Sequence, residues 1–155
     1  MKICADENIS PVLTGLVRET LLGRDHSLHT VDDFDARGVD DQIWVRRFAD
    51  AGGDAIVGAD ARMLTRPHEI AAIAETGLRL IILPSQWVRQ RKHAQIAFLF
   101  YWWPRIEAAI ASAKPGQCLK VPWSWTEGQE LVRQSVDLQR AQKIVKKDHR
   151  KKPRA

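Results

Sequence analysis

The sequence predicts an α/β domain with a mostly parallel sheet, and three observations carry that expectation. Short apolar runs alternate with longer segments of helical periodicity, from Lys2-Ile3-Cys4-Ala5 through Ala55-Ile56-Val57 to the run Leu78 to Leu83. Prolines, hydroxyls and acids stand where helices would begin, and glycines where they would end. The chain has 155 residues, enough for one domain with its own core, and its 45% apolar and 28% charged content is ordinary for a globular protein.

The elements follow in order. Lys2 to Ala5 reads as a buried strand that stops at Asp6. Ser10-Pro11 starts a helix in which Val12, Leu13, Leu16, Val17 and Leu21 recur at helical spacing until Gly23. His26 to Val31 reads as a second strand, and the polar stretch from Asp32 to Val39 as a loop. Asp40 or Asp41 caps a helix with Ile43, Trp44 and Phe48 inward and Val45 a further candidate, ending at Gly52-Gly53. Asp54 to Gly58 is the third strand, leading into Ala59-Asp60. Pro67 opens another helix, closed by Gly77, and Leu78 to Leu83 is the fourth strand. A long helix runs from about Gln86 to Trp103, where Pro104 either kinks it or begins the next one, ending near Ala113. Gln117 to Val121 is a candidate last strand.

From Glu127 the composition changes to a Gln-, Lys- and Arg-rich stretch with thin apolar content. A domain over residues 1–126 is therefore expected, followed by a basic helical or partly disordered tail over 127–155 that the fold does not need.

Several function classes drop out. No apolar run reaches the roughly 18 residues of a membrane span. The N-terminus passes straight from a short apolar run into charge, so no signal peptide is expected and the cytoplasm is the expected location. Cys4 and Cys118 are isolated in apolar surroundings and read as reduced core thiols. Neither a Gly-rich dinucleotide loop, a Walker phosphate loop nor a nucleophile elbow is present.

Charge is unevenly divided. Residues 1–60 carry 12 acids against 6 bases, whereas residues 61–126 carry 3 against 9 and residues 127–155 carry 4 against 9. This asymmetry suits an acidic site beside a surface that attracts a polyanion. Asp6-Glu7 ends the first strand, Asp60 ends the third, and Asp40 or Asp41 begins the helix between the second and third. In a parallel sheet these positions share one edge, where functional groups collect. Each acid has a plainer role open to it, as a helix cap or a turn residue. Converging together, the carboxylates repel one another unless a cation sits between them, and oxygen-only donors suit Mg²⁺ or Mn²⁺.

The opening ICADENISP resembles the PIN-like ribonuclease domains, in particular the small group related to VapC-type toxins. The stretch DDQIWVRRFADAGGDAIVGADARMLTRPHEI, then LPSQW and WWPRIE, resembles the same group, so the resemblance covers residues 2 to 123. It implies a three-layer α/β/α sandwich, a Mg²⁺ or Mn²⁺ site and endoribonuclease activity. The implied metal ligands and catalytic residues are Asp6, Asp41 and Asp60, with Glu7 and Asp40 as further candidates. The resemblance also implies RNA as substrate, an antitoxin protein as partner and a homodimer as a possible assembly. One departure stands out: where many such sites have another acid two residues after the third-strand one, this chain has Arg62.

Arg62, Arg66 and His68 follow that strand closely, and Arg89, Arg91, Lys92 and His93 begin the long helix. With Trp87 they are candidates to hold single-stranded RNA by phosphate pairing and base stacking. Trp102-Trp103 reads as core or interface, and Trp123 and Trp125 as a core cover or partner anchor. Two competing functions remain at this level. One is a PIN-like domain with reduced catalysis that binds RNA or a partner. The other is a phospho-receiver built on Asp6-Glu7, Asp60 and Ser85, for which Lys120 is a poor fit because it lies inside the last strand.

Overall fold

The computed structural model describes residues 1–35 and 37–152; the last part of the expected basic tail, 153–155, lies outside them. Five parallel strands and one antiparallel strand form a single sheet in the order β2-β1-β3-β4-β5-β6. They are β1 (Lys2–Ala5), β2 (Ser27–Thr30), β3 (Ala55–Gly58), β4 (Arg79–Ile82), β5 (Cys118–Lys120) and β6 (Val132–Gln134). The helices are α1 (Pro11–Thr20), α2 (Asp41–Asp50), α3 (Pro67–Thr76), α4 (Ser85–Val88), α5 (Lys92–Ser112) and α6 (Leu138–Lys151). Strands β1 to β5 therefore sit where the apolar runs predicted them, and β6 lies in the stretch expected to be a tail.

Strands β1, β3 and β4 bury both faces, which is why they read as continuous apolar runs. Alternate residues point to opposite layers. Ile3, Ala5, Val57 and Ile81 pack with Leu13 and Val17 of α1 and with Phe98, Trp102 and Trp103 of α5. Cys4, Ile56, Leu80 and Ile82 face the other way, onto Trp44 and Phe48 of α2 and Ile73 of α3. The result is a three-layer α/β/α sandwich.

Trp102 and Trp103 are both core residues, at 0% and 2% exposure. Their indole N–H groups donate to Ser124 O at 2.9 Å and Glu107 Oε1 at 3.0 Å. Pro104 interrupts nothing: α5 is one helix of 21 residues with the proline inside it. Cys4 and Cys118 are free and buried. Burial pushes both thiols up, to about 12 and about 11, and nearby Asp33 and Asp6 add to the rise at Cys4.

The stretch after Glu127 corrects the expectation of a dispensable tail. Residues Val132–Gln134 pair antiparallel with β5, Leu119 opposite Arg133, and so extend the sheet. The helix α6 docks on α3, burying Ala141, and His68 Nε2 lies 3.0 Å from Asp148 Oδ2. Leu131 and Val136 pack against the cores on opposite faces of the sheet. Sparse apolar content hid this because the segment contributes one small buried residue and a few half-buried ones, fixed largely by backbone pairing. Removal of residues 127–155 should lower the melting temperature by roughly 5–10 °C, the effect of losing a few kcal/mol in a domain this size. Thermal denaturation of the truncated chain checks this, and an unchanged midpoint would show that β6 and α6 add nothing to stability.

Candidate functional site: an acidic edge closed by arginine

Strands β1 and β3 lie side by side, but the chain leaves them in opposite directions along the sheet, towards β2 and towards β4. Their C-terminal ends thus flank the switch point at which such sheets open a crevice. Asp6 follows β1 there. Its backbone N–H donates to Val57 O at 3.0 Å, which extends the ladder by one step and turns the side chain inward. Asp6 Oδ1 accepts from Asn8 N at 2.9 Å and Oδ2 from Ala59 N at 3.0 Å. The space for this carboxylate comes from Gly58, where an added Cβ would stand 2.8 Å from Asp6 Oδ2. Burial pushes the Asp6 carboxyl up to about 6, against the opposing pull of the bonds from Ala59 and Asn8.

Asp60 follows β3 and caps the short 3-10 turn Ala61–Leu64 by accepting from Arg62 N at 3.0 Å. Arg62 Nε also donates to Asp60 Oδ1 at 2.9 Å and to Oδ2 at 3.2 Å. Burial works to raise this carboxyl, but the bonds from Arg62 and the charge of Arg66 outweigh it and hold it below the usual range.

Asp41 is the first residue of α2. Its Oδ1 accepts from the Trp44 indole at 2.8 Å and its Oδ2 from Arg66 Nη1 at 3.2 Å. The same Nη1 donates to Glu69 Oε1 at 3.1 Å, and Arg66 Nη2 stands 3.5 Å from Asp60 Oδ2. One guanidinium thus joins carboxylates from α2, from the end of β3 and from α3.

Glu69 was not singled out from the sequence. The available signal was an acid three residues after Arg66, in the first turn of the Pro67 helix, a spacing at which side chains meet. Its side chain is 9% exposed, and Oε2 is buried without a hydrogen-bond partner among the described residues. Burial pushes Glu69 up to about 7; Arg66 opposes the rise and the charge of Asp41 adds to it.

The other predicted site residues divide. Asp40 is the exposed N-cap of α2 without a side-chain cap bond, and Glu7 is likewise exposed. Both line a cavity of about 510 Å³ with Asp41, Gln42, Arg66 and Glu69. Asp6 and Asp60 do not line it; Arg66, which pairs with Asp60, does. His68 also lines this cavity but is tied to Asp148 of α6. Arg89 is exposed at the end of α4.

Trp87 must be corrected. It is 1% exposed, and its indole donates to Gln95 O at 3.1 Å while Gln95 Nε2 returns a bond to Trp87 O at 3.1 Å. That exchange staples α4 to α5 and leaves no ring face for a base. Trp123, 37% exposed, stacks on Phe98 with centroids 4.9 Å apart, and Trp125, 48% exposed, packs beside Tyr101.

A model of the family described as PIN like domain matches residues 1–85, which contain Asp6, Asp41, Asp60, Arg66 and Glu69. Taken with the sandwich and the acids at its switch point, this shows that the chain belongs to the PIN-like domain family. No curated protein and no solved structure matches it. Family membership removes the phospho-receiver alternative. No helix among the described residues is long and apolar enough to cross a membrane.

PIN-like domains are often nucleases and generally use divalent metals, so the fit of such an ion needs testing here. The donors are of the right kind, hard carboxylate oxygens. Their arrangement is not: Asp6 spends both oxygens on backbone N–H groups, Asp60 both on Arg62, and Asp41 both on Trp44 and Arg66. Among the described residues no group of three or more His, Cys, Asp or Glu is placed to hold a metal ion. In this arrangement a divalent ion does not fit.

The raised Asp6 carboxyl makes a prediction about stability. Because its folded-state value lies above the unfolded one, protonation favours the fold, and this contribution is gained as pH falls through about 6 and lost as pH rises through it. Above that pH the buried charge costs up to about 3 kcal/mol. Asp6→Asn removes the charge but forfeits one acceptor, worth about 1 kcal/mol. The variant should therefore exceed wild type by roughly 1–2 kcal/mol in urea unfolding at pH 8, with the gap closing by pH 4.5. A difference independent of pH would contradict this.

Proposed function

We propose that the chain acts on RNA as an endoribonuclease of the PIN-like class, held in this structure in an arginine-closed form. The observation that supports it is the set of four carboxylates, Asp6, Asp41, Asp60 and Glu69, gathered at one sheet edge beside two arginines. Carboxylates buried at a switch point contribute little to folding that apolar residues would not supply better, and Asp6 and Glu69 are costly there. Arg62 and Arg66 present forked donors that suit a phosphate as well as a carboxylate. An RNA phosphate entering the cavity competes with Asp60 and Asp41 for the Arg66 fork, so substrate binding and release of the acids are linked. The divalent ion that PIN-like nucleases generally use, Mg²⁺ or Mn²⁺, belongs to this reading but is given no step in it, since the acids as arranged do not hold one.

A second reading, RNA binding without cleavage, draws support from the same ion pairs: Arg62 stands where another acid is usual, and it ties up Asp60. Incubation with single-stranded and structured RNA, with Mn²⁺ or Mg²⁺ and with EDTA, separates the two. The nuclease reading expects EDTA-sensitive cutting that falls by about 100-fold or more in Asp60→Asn. Cutting that persists in Asp6→Asn plus Asp60→Asn would contradict it, and salt-dependent binding without any cutting would establish the second reading.

The finer assignment is the toxin half of a toxin–antitoxin pair, restrained by a small protein partner. The resemblance of ICADENISP and the segments after it to the VapC-type group supports this, together with the acidic cavity, which would accept a basic side chain from a partner. Expression of the chain alone should slow growth of a bacterial host, and Asp60→Asn should relieve it. Equal growth of both strains, with folded wild-type protein present, would count against the toxin role.

A further inference from the structure

We propose that the Arg66 guanidinium is the resident cation of the acidic edge and excludes a divalent ion from it. The inference rests on reading this edge as the functional site, and it holds whether or not the chain cuts RNA.

Three features of the chain place Arg66 there. The residue precedes Pro67, which disfavours helical backbone before it, and Arg66 is accordingly extended, with φ −84° and ψ 119°. It is the N-cap residue of α3, so its side chain departs at the helix start rather than along a solvated helix face. From there it reaches Asp41 Oδ2 at 3.2 Å, Glu69 Oε1 at 3.1 Å and Asp60 Oδ2 at 3.5 Å. No lysine could do the same, because a single ammonium cannot present two separate nitrogens to three carboxylates on different elements.

A divalent ion and this guanidinium are alternatives. Mg²⁺ demands oxygens at about 2.0–2.1 Å in near-octahedral geometry, whereas these oxygens surround a planar cation with nitrogens 3.1–3.5 Å away. Both cannot occupy the space between Asp41, Asp60 and Glu69. The independent mark of a shared cation position is Glu69 Oε2, buried and unpartnered among the described residues. Arg66 satisfies one oxygen of this carboxylate and leaves the other buried without a donor among the described residues. An apolar residue would serve a purely structural role there at less cost. Arg66 itself is 39% exposed in its side chain and lines the cavity, so it has a path outward. Divalent affinity is then reduced by the small fraction of time that Arg66 is away.

Calorimetric titration with MnCl₂ tests this on the full chain, with wild type, Arg66→Gln and Arg66→Lys. Arg66→Gln should bind Mn²⁺ at least about tenfold more tightly than wild type, and Arg66→Lys should fall between. Arg66→Gln should also melt lower than wild type without Mn²⁺ and recover with it, while the wild-type midpoint should shift far less with Mn²⁺ or EDTA than that of Arg66→Gln. If Arg66→Gln does not fold, Arg66→Lys against wild type carries the comparison, since it keeps the charge. Equal Mn²⁺ affinity in wild type and the folded variants would overturn the proposal, as would absence of binding in both folded variants. Failure of RNA cutting overturns the nuclease reading alone, and equal metal affinity overturns this one alone.

Discussion

Carboxylates brought together at the edge of a parallel sheet repel one another and lose hydration, so such a cluster persists only if something positive or proton-donating meets each carboxylate. Here backbone N–H groups of Asn8 and Ala59 take Asp6, Arg62 takes Asp60, and Arg66 spans Asp41, Asp60 and Glu69. Much of the local architecture follows from that constraint. Gly58 leaves room for the Asp6 carboxylate, Pro67 sets the backbone from which Arg66 departs, and Trp44 turns its indole to the remaining oxygen of Asp41.

The fold was largely legible because the sheet is buried on both sides. Apolar runs ending in Asp6 and in Ala59-Asp60 mark strands and their functional ends together. Helix starts at Ser10-Pro11 and Arg66-Pro67 are equally plain. The site was legible as a set of acids but not as a closed cluster. Sequence spacing shows that Asp6, Asp41 and Asp60 share an edge; it does not show that Arg66, read as an RNA contact, also pairs with Asp41 and Asp60. Glu69 stayed hidden because a glutamate in the first turn of a helix ordinarily serves the helix dipole in solvent. Burial, which gives it another meaning, depends on tertiary packing.

Trp87 and the C-terminal stretch went astray for opposite reasons. Trp87 lies among polar neighbours, Gln86 and Arg89, and so resembles a surface aromatic. It is core because the four-residue helix α4 turns it beneath α5. The stretch after Glu127 looks too polar to matter, yet strand pairing needs no apolar content on its exposed face, and α6 needs only a narrow stripe to lie on α3. Since α3 carries Glu69 and follows Arg66, that added layer also backs the element on which the acidic edge is closed.

On the proposed reading a guanidinium, not a divalent ion, neutralises this edge. Diffraction from wild-type crystals grown in MnCl₂, measured at the manganese absorption edge, tests it most directly. Arg66 is expected within hydrogen-bond distance of Asp41 and Glu69, with no anomalous peak among Asp6, Asp41 and Asp60. A manganese peak coordinated by those carboxylates, with Arg66 turned away, would contradict it.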